Sequence, residues 1–408
     1  MYKYGFKNLD KRLWYLAITR FIRSSGRVSS FIFLPLVFVF VYNISFLETG
    51  IFLGFAILIM SIVQFYSGIW TDKIGRRFFL IMVPFPTAAL YFLMFYIVYF
   101  RINFIFIILA WYGTIISNAL QYPAIEASVA DITTEYERLS GYTLIRILTN
   151  VGAAIGPLLG AILAYFNYSY IFLIASLSTV VEGIILYIYF KETYFPKKYE
   201  KPAFSYQIFK ADKFFVVFIL IGVILGFALR QNGPALTLYA FDLNNLPIID
   251  IGYIYSLNGL IVIALQMPFL KIMSRSGSPV FWRGISSLFY AIGFAFLAFS
   301  TNLISILFVM GIFTIGEDFM APTTQTIITT IAPKNLKGTY IGTYNLITSM
   351  GRFLGSFLGL YLLYILKNVS YIFWIYIAII TFIAGISYFL SINLFKIRTN
   401  KKEALSSE

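Results

Sequence analysis

The chain has 408 residues, of which 60% are hydrophobic and 12% are charged, and its formal net charge is +14. Soluble domains carry about 25% charged residues, so this composition excludes an ordinary soluble fold and indicates a protein whose solvent is lipid. The chain has no cysteine and no histidine, which excludes a disulfide framework, a zinc site and a histidine proton relay. We expect no metal and no cofactor, and proton coupling must use Asp or Glu.

Long apolar runs recur along the whole chain. Each run is roughly 20–30 residues long without strand-like alternation, which predicts transmembrane helices rather than barrel strands. The sequence therefore predicts an all-α integral membrane protein with twelve transmembrane helices. The approximate spans are 14–43, 49–70, 78–99, 103–129, 140–164, 168–190, 214–240, 249–272, 280–299, 303–330, 340–366 and 370–395.

Basic residues alternate from loop to loop along this series of spans. With the N-terminus inside, 22 of the 31 Lys and Arg fall in cytoplasmic segments, and the outside loops hold only Arg101 and Lys367. An excess of Lys and Arg marks the cytoplasmic side of a membrane protein. The pattern predicts a multi-pass protein of the cell membrane with both termini in the cytoplasm.

The longest polar stretch, 191–213, follows the sixth span and predicts a cytoplasmic linker. It separates an N-terminal six-helix bundle, 1–190, from a C-terminal six-helix bundle with a short cytoplasmic tail, 214–408. The two halves also share a glycine pattern, repeated after 199 residues: Gly152, Gly156 and Gly160 correspond to Gly351, Gly355 and Gly359. We therefore expect two pseudo-symmetric bundles.

The loop between spans two and three reads Gly68-Ile-Trp-Thr-Asp72-Lys-Ile-Gly75-Arg76-Arg77. A glycine that ends a helix lets another backbone come close, and Gly75 is suited to the turn. The stretch resembles the signature loop of the major facilitator superfamily, G-x-x-x-D-x-x-G-R-[RK], and all six fixed positions match. The resemblance implies secondary transporters built from two six-helix bundles.

The same resemblance implies a gate on the cytoplasmic face. Asp131, at the end of span four, would form a charge cluster with Asp72 and Arg76 that latches the inner gate while the cavity faces outward. The alternative is that these are ordinary solvated loop charges, since surface pairs contribute only about 0–1 kcal/mol. The predicted gate comprises Gly68, Asp72, Gly75, Arg76, Arg77 and Asp131.

Span five contains Gly152-Ala-Ala-Ile-Gly156-Pro157-Leu-Leu-Gly160-Ala161. It resembles the G-x-x-x-G-P-x-x-G-G motif of the drug:proton antiporter branch of the superfamily, with Ala at the last position as a departure. Small residues let two helices approach closely, and the proline supplies a bend. The alternative is that the glycines form only a close-packing seam.

Ionisable residues inside the predicted spans are the main candidates for function. Each charge at the membrane centre costs at least about 2.5–3.5 kcal/mol, so such groups should face a shared cavity or pair with one another. In span one, Arg20 and Arg23 are close enough to the cytoplasmic end to snorkel, whereas Arg27 is deeper. The seven intramembrane arginines are Arg20, Arg23, Arg27, Arg146, Arg230, Arg283 and Arg352, and the four acids are Glu126, Glu182, Glu317 and Asp318.

The resemblance implies that spans one, four, seven and ten line a central cavity. Polar residues on these spans and on the adjoining faces of spans five and eight become candidates for substrate contact. Arg27 could instead be the structural partner of a neighbouring helix. The predicted cavity set is Arg27, Asn118, Gln121, Arg146, Asn150, Arg230, Asn232 and Asn258.

Span ten carries two adjacent carboxylates, Glu317 and Asp318, after Gly316. The Gly-Glu pair resembles the drug-exporter branch at this place. Adjacent carboxylates disfavour simultaneous ionisation, so either could hold a proton near neutral pH. With Glu126 they form the predicted proton-coupling set. The alternative is a fixed salt bridge, for instance with Arg283 or Arg352. Because span six is peripheral in the family, we expect Glu182 to be structural.

These features predict a secondary active transporter that works by alternating access, with proton-coupled export of a lipophilic compound as the first interpretation. Seven arginines against four acids keep open an organic-anion or nutrient transporter, by uptake or uniport, because arginine forks recognise carboxylate and phosphate. A non-transporting membrane receptor is a third possibility. No nucleotide-binding loop is present, and we expect no enzyme. We expect a monomer in a lipid bilayer with a small-molecule substrate and no nucleic acid.

Overall fold

The computed structural model describes residues 9–134, 137–193, 212–275, 278–333 and 337–407. Across these parts of the chain, twelve helices are long and apolar enough to cross a membrane. The predicted all-α class and the number of spans are confirmed. Most of the predicted linker, from residue 194 to residue 211, lies outside the described residues.

The helices follow the predicted spans closely. Those of the first half are α1 Lys11–Val41, α2 Phe46–Ile74, α3 Arg76–Tyr99, α4 Phe104–Ile132, α5 Arg138–Phe166 and α6 Tyr170–Tyr189. Those of the second half are α7 Lys213–Leu243, α8 Ile248–Arg275, α9 Pro279–Leu297, α10 Leu303–Ile331, α11 Lys337–Ile365 and α12 Ser370–Leu390, followed by a terminal helix, α13 Ile392–Ser407.

The chain divides into two compact units. The first unit comprises Met1–Ser45, Ile59–Tyr199 and Asn245–Ile263, and the second comprises Phe46–Leu58, Glu200–Asn244 and Ala264–Glu408. The units follow the predicted halves except at two places. The beginning of α2 belongs to the second unit, and the beginning of α8 belongs to the first unit. The predicted boundaries of the two bundles stay a prediction.

In the first unit, α1 packs against α5 and α6, and α3 packs against α4 and α6. The glycines of α5 form the contact with α1. A Cβ on Gly156 would lie 2.6 Å from the carbonyl oxygen of Ser25, and one on Gly160 would lie 2.5 Å from that of Ser29. Any side chain at these positions would push the two helices apart. The glycine motif therefore forms a close-packing seam.

The second unit repeats this arrangement, with α7 against α11 and α9 against α10 and α12. A Cβ on Gly355 would lie 2.5 Å from the carbonyl oxygen of Phe227, and one on Gly359 would meet the side-chain amide of Gln231. The repeat seen in the sequence therefore corresponds to a repeated helix contact. In each unit the glycine seam brings the fifth helix of the predicted half onto its first helix.

The helix α7 is interrupted in its middle. The α-helical part ends at Leu229, and a 3₁₀ turn at Arg230–Asn232 is followed by Gly233 and Pro234. Pro234 has no N–H, and its ring conflicts with the carbonyl group four residues earlier, so the regular helix cannot continue. The local sequence thus places Arg230 and Asn232 at a break in a membrane helix.

One buried carboxylate joins three helices of the second unit. Asp212, only 1% exposed, accepts hydrogen bonds from the Phe215 N–H (3.0 Å), the Tyr340 hydroxyl (3.2 Å) and Arg398 Nε (2.6 Å). The first of these caps the start of α7, as an acidic N-cap residue commonly does. The other two tie α11 and α13 to the same point.

A similar cap begins the first unit. Asp10 accepts the N–H of Arg12 at 2.7 Å and also binds the guanidinium of that residue. These hydrogen bonds stabilise the charged form and hold the pKa of the Asp10 carboxyl below its usual value. The first helix of each predicted half therefore starts at an aspartate that is paired with an arginine.

Candidate functional site

The predicted gate residues Asp72, Arg76 and Asp131 meet around one guanidinium. Arg76 Nη2 lies 3.0 Å from Asp72 Oδ1, and Arg76 Nε lies 3.0 Å from Asp131 Oδ2. Arg76 Nη1 also donates to the carbonyl oxygen of Thr71 at 3.0 Å. The Arg76 side chain is largely buried between its partners. The predicted charge cluster is therefore formed, and it is more enclosed than a set of solvated loop charges.

Glu192 completes this cluster and was not predicted from the sequence. Its carboxylate accepts the backbone N–H of Arg76 at 3.2 Å and that of Arg77 at 3.1 Å, at the start of α3. Arg77 Nε donates in turn to the carbonyl oxygen of Phe190. A carboxylate suits a helix N-terminus because the first N–H groups are unpaired and the helix dipole is positive there. Only the chain's return after α6 brings Glu192 to this position.

The two glycines of the loop behave differently. Gly75 has φ of +109°, which favours glycine, so the predicted turn is confirmed. The close backbone approach expected at Gly68 is not formed: outside its chain neighbours and the nearby backbone of its own helix, no heavy atom of the described residues lies within 4 Å of the position that a Cβ would take. The helix also does not end at Gly68, because α2 continues to Ile74.

A buried polar network lies inside the first unit. Arg23 of α1 is 2% exposed and forms an ion pair with Glu182 of α6, which is 0% exposed. Arg23 Nη2 also donates to Asn118 Oδ1 at 2.6 Å, and Gln121 Nε2 donates to Glu182 Oε1 at 3.3 Å. The four side chains join α1, α4 and α6. We call them the Arg23–Glu182 network.

This network gives structural roles to several residues for which the sequence predicted other roles. Arg23 does not snorkel, because its guanidinium is bonded inside the unit. Asn118 and Gln121, predicted as cavity residues, contribute to the network. Helices α1 and α6 can meet closely because Gly26 has no side chain. A Cβ at this position would collide with Ser178, one turn before Glu182. Glu182, expected to be structural, holds α1 and α4 to α6 through both of its carboxylate oxygens.

The other predicted residues of the first unit lie around this network. Arg20 and Arg27 are half-buried, and both interact electrostatically with Glu182 and Arg23. Glu126, the predicted proton-coupling acid on α4, is half-buried within electrostatic reach of Arg20. The remaining predicted cavity residues in this unit are also half-buried: Arg146, Asn150 and Asn258.

A cavity of about 520 Å³ lies in the second unit. The predicted residues Arg230 and Asn232 line it at the break in α7, and the predicted acid Glu317 lines it from α10. Arg283 of α9 and Arg352 of α11 line it as well. Three guanidinium groups therefore share one cavity with one carboxylate.

Arg283 is held rigidly although it is a buried cation, 4% exposed. Its Nη1 donates to Thr324 Oγ1 at 2.6 Å and to the Met320 carbonyl oxygen at 3.2 Å, and its Nη2 donates to the Tyr344 hydroxyl at 3.4 Å. All of these acceptors are neutral. The Nε of Arg283 has no hydrogen-bond partner among the described residues. The charge of this guanidinium is thus solvated by dipoles and not balanced by an acid.

Arg230, Arg283 and Arg352 together form the basic wall of the cavity. Among the described residues, Arg352 forms no ion pair and no hydrogen bond, and its stem passes Gly226. Arg230 Nε donates to Ser356 Oγ at 2.7 Å, and its Cβ faces Gly355 of the seam. Neither Arg283 nor Arg352 forms the fixed salt bridge to Glu317 or Asp318 that the sequence left open.

The two adjacent acids of α10 have different surroundings. Glu317 faces the cavity, whereas Asp318 is 2% exposed within the unit. Tyr290 of α9 lies within electrostatic reach of both acids and of Arg283. Because the side chains of consecutive helical residues point about 100° apart, one of two adjacent acids can face a cavity while the other is buried. Arg283 and Arg352 were named from the sequence only as partners for these acids, and their place in the cavity was missed.

The fold and the intramembrane charges define a multi-pass membrane protein with ionisable groups inside its helical units. The sequence profile of the Major Facilitator Superfamily matches residues 16–356, and the chain belongs to that superfamily. It is a transporter and not an enzyme.

The curated relatives are distant in sequence. An uncharacterised MFS-type transporter of Bacillus subtilis (strain 168) is 24% identical over 376 residues, covering 86% of each chain. A Na⁺, Li⁺, K⁺/H⁺ antiporter of Planococcus maritimus is 24% identical over 266 residues, covering 58% of this chain and 62% of the relative. The crystal structure of the peptide transporter POT in complex with sulfate superposes with a TM-score of 0.81 at 14% identity, covering 97% of this chain and 96% of the other.

Proposed function

We propose that this protein is a secondary transporter for small organic anions, which it moves by alternating access. The observation that carries the proposal is the second-unit cavity, where Arg283 and Arg352 have no acidic partner among the described residues. Two uncompensated guanidinium groups inside a membrane protein are unfavourable unless an anion binds them or water reaches them. A carboxylate, sulfonate or phosphate group of the substrate supplies that charge.

The geometry of arginine supports this assignment. A guanidinium presents parallel N–H donors that match the two oxygens of a carboxylate or phosphate, and such charge-assisted pairs are among the strongest hydrogen bonds in proteins. Arg283 is fixed by three acceptors and so needs little ordering when the anion binds. Leu225, Leu229 and Met320 line the same cavity and provide apolar contact for the rest of an organic molecule.

The gate cluster and the loop charges fit the same mechanism. We place both termini in the cytoplasm, because 22 basic residues occupy the segments on that side and two occupy the other side. The ion pairs of Arg76 with Asp72 and Asp131 then lie at the cytoplasmic ends of α2, α3 and α4. They act as the latch that holds one of the two alternating states. The proton is the coupling ion of choice, since the cavity contains Glu317.

A second candidate is proton-coupled antiport of lipophilic compounds. It is favoured by the span-five motif and by the similarity to the Planococcus maritimus antiporter. The packing seam between α5 and α1 accounts for the glycines of this motif, and such a seam does not depend on the kind of substrate. The charge of the cavity therefore favours the organic anion.

Counterflow in proteoliposomes tests the proposal. Proteoliposomes that contain the purified protein are loaded with benzoate, benzenesulfonate or a phenyl phosphate ester. The exchange of each anion is compared with the exchange of its neutral amide or ester analogue and with that of lipophilic cations. We expect exchange of at least one class of anion and none of its neutral analogue. Exchange of lipophilic cations with exclusion of every anion would replace this proposal by the second candidate.

A further inference from the structure

We propose that Glu317 couples the anion to a proton in the same direction, so that this protein is a proton–anion symporter and not an antiporter. The inference rests on the proposed anion site and adds the sign of the coupling. The protonated carboxyl group of Glu317 admits the anion to the basic wall of the cavity, and the ionised carboxylate competes with the anion for that wall.

The groups that share the cavity with Glu317 come from three other helices. The adjacent Asp318 is buried and does not line the cavity. Helix α8 contacts α10 through Phe269 and Phe319, but none of its described charged side chains lines the cavity. Helix α7 contributes Arg230, and α9 contributes Arg283 and Tyr290. From α11 come Arg352 and Tyr344. The terminal helix α13 also packs on α10, but it does so near Ile331 through an apolar cluster that includes Phe395. None of the described charged side chains of α13 lines the cavity.

The sign follows from the charges in this cavity. Three arginines and an ionised Glu317 give the lining a charge of +2, and protonation of Glu317 raises it to +3. A bound anion is repelled by the carboxylate and attracted by the guanidinium groups, so binding is tighter when Glu317 carries a proton. By reciprocity, the bound anion raises the affinity of Glu317 for its proton by the same factor.

An antiporter requires the opposite relation. There the substrate and the proton compete for one acid, as a cationic substrate would do at a carboxylate. An anionic substrate cannot compete with a proton for Glu317, and it benefits when the proton is present. Once the substrate is an anion, both therefore bind in the same state and cross the membrane together.

The acid at the centre of the first unit is not available for this task. Both oxygens of Glu182 are bonded within the Arg23–Glu182 network, and its side chain is closed off from solvent. A proton on Glu182 would leave Arg23 as a buried, uncompensated cation, which is strongly unfavourable. Glu317, which lines a cavity of about 520 Å³, has direct access to water and substrate.

Titration calorimetry on the full-length protein tests the inference. The probes are benzoate, benzenesulfonate and inorganic sulfate, which stay ionised between about pH 6 and about pH 8, so that proton exchange reports on the protein. Measured in two buffers of different ionisation enthalpy, binding to wild type should take up protons. The affinity should weaken with rising pH, by at most about tenfold per pH unit for one linked proton.

The variant Glu317→Gln should bind the same probe without proton uptake and with an affinity that no longer depends on pH. Asp242→Asn is the matched control, since this acid lies in the second unit but does not line the cavity, and it should keep the wild-type linkage. If Glu317→Gln cannot be purified, the slope of affinity against pH in wild type still decides whether anion binding is linked to proton uptake, which is the sign of the coupling.

Vesicle flux provides an independent readout. With a pH dye inside proteoliposomes, an inward gradient of benzenesulfonate or sulfate, which do not cross lipid as neutral acids, should acidify the interior. Alkalinisation, or anion binding that ignores pH or releases protons, overturns the symport inference and leaves the anion site standing. Failure of all three probes to bind wild type overturns the anion site and the inference together.

Discussion

The Arg23–Glu182 network and the second-unit cavity are two answers to the same problem, the placement of arginine inside a membrane. In the network, Arg23 is paired with an acid and an amide, and both members of the ion pair are buried. In the cavity, Arg283 and Arg352 are left without an acid among the described residues. A compensated arginine holds helices together, whereas an uncompensated one creates a demand for a ligand.

The largest effect is expected from breaking the network. Arg23→Gln should destabilise the protein by about 3–5 kcal/mol, because it leaves Glu182 buried without its cation. Thermal unfolding in detergent measures the loss. The double variant Arg23→Met with Glu182→Leu should recover much of it, since apolar replacement of a buried pair is often neutral. A single variant as stable as wild type would show that the pair does not hold these helices.

In the cavity the same kind of change should affect binding and not folding. Arg352→Gln should weaken anion affinity by about 1.5–3 kcal/mol, roughly ten- to a hundredfold, with an unchanged melting temperature. Arg352→Lys should recover part of the affinity, because the charge returns without the fork. Lys271→Gln, outside the cavity, is the control. A large fall in melting temperature would instead give Arg352 a structural role like that of Arg23.

The glycine seam between α7 and α11 connects stability to the cavity, because it positions the helix that carries Arg230. Gly355→Ala places a methyl group 2.5 Å from the Phe227 carbonyl oxygen and 2.9 Å from Arg230 Cβ. We expect a loss of about 1–3 kcal/mol in stability as α7 shifts, with a parallel loss in anion affinity. Gly68→Ala has open space and should change the melting temperature little. Equal behaviour of the two variants would contradict the role of the seam in seating Arg230.

The smallest effect is expected at the gate cluster. Glu192→Gln keeps a hydrogen-bond acceptor at the start of α3 but removes the charge, so we expect a loss of about 0.3–1 kcal/mol, weaker at high salt. Melting curves at two salt concentrations measure it. Asp131→Asn should change transport more than stability, since it removes one of the two acids on Arg76. Unchanged turnover in Asp131→Asn would contradict the latch.

The features that repeat along the chain were predictable from the sequence. Span lengths, the Gly75 turn and the glycine seam each depend on local residues, and so the helices, that turn and a close-packing seam could be predicted, although the helix to which the seam packs could not. The Asp72–Arg76–Asp131 cluster was accessible because the loop resembles a known motif. Most predictions that depended on local conformation therefore succeeded without tertiary information, whereas the helix end predicted at Gly68 was wrong.

Partner choice among distant residues was not predictable in the same way. Arg23 and Glu182 are 159 residues apart, and the sequence does not say which helix faces bring them together. Glu192 reaches α3 only through the return of the chain after α6. The place of Arg283 in the cavity depends on its neutral acceptors Thr324 and Tyr344. Only the absence of a matching acid distinguishes it from a paired arginine.

The three-way junction at Asp212 has a practical consequence for handling the protein. A truncation placed before Arg398 would remove the charged partner of a carboxylate that is only 1% exposed and leave it two neutral donors, whereas one placed after Asn400 would keep Arg398. Affinity tags and fluorescent fusions at the carboxyl end should therefore be joined after Arg398, and a junction after residue 407 also leaves the whole of α13 intact. Shortened versions of the protein made for crystallisation or display would otherwise loosen the start of α7, the helix that carries Arg230.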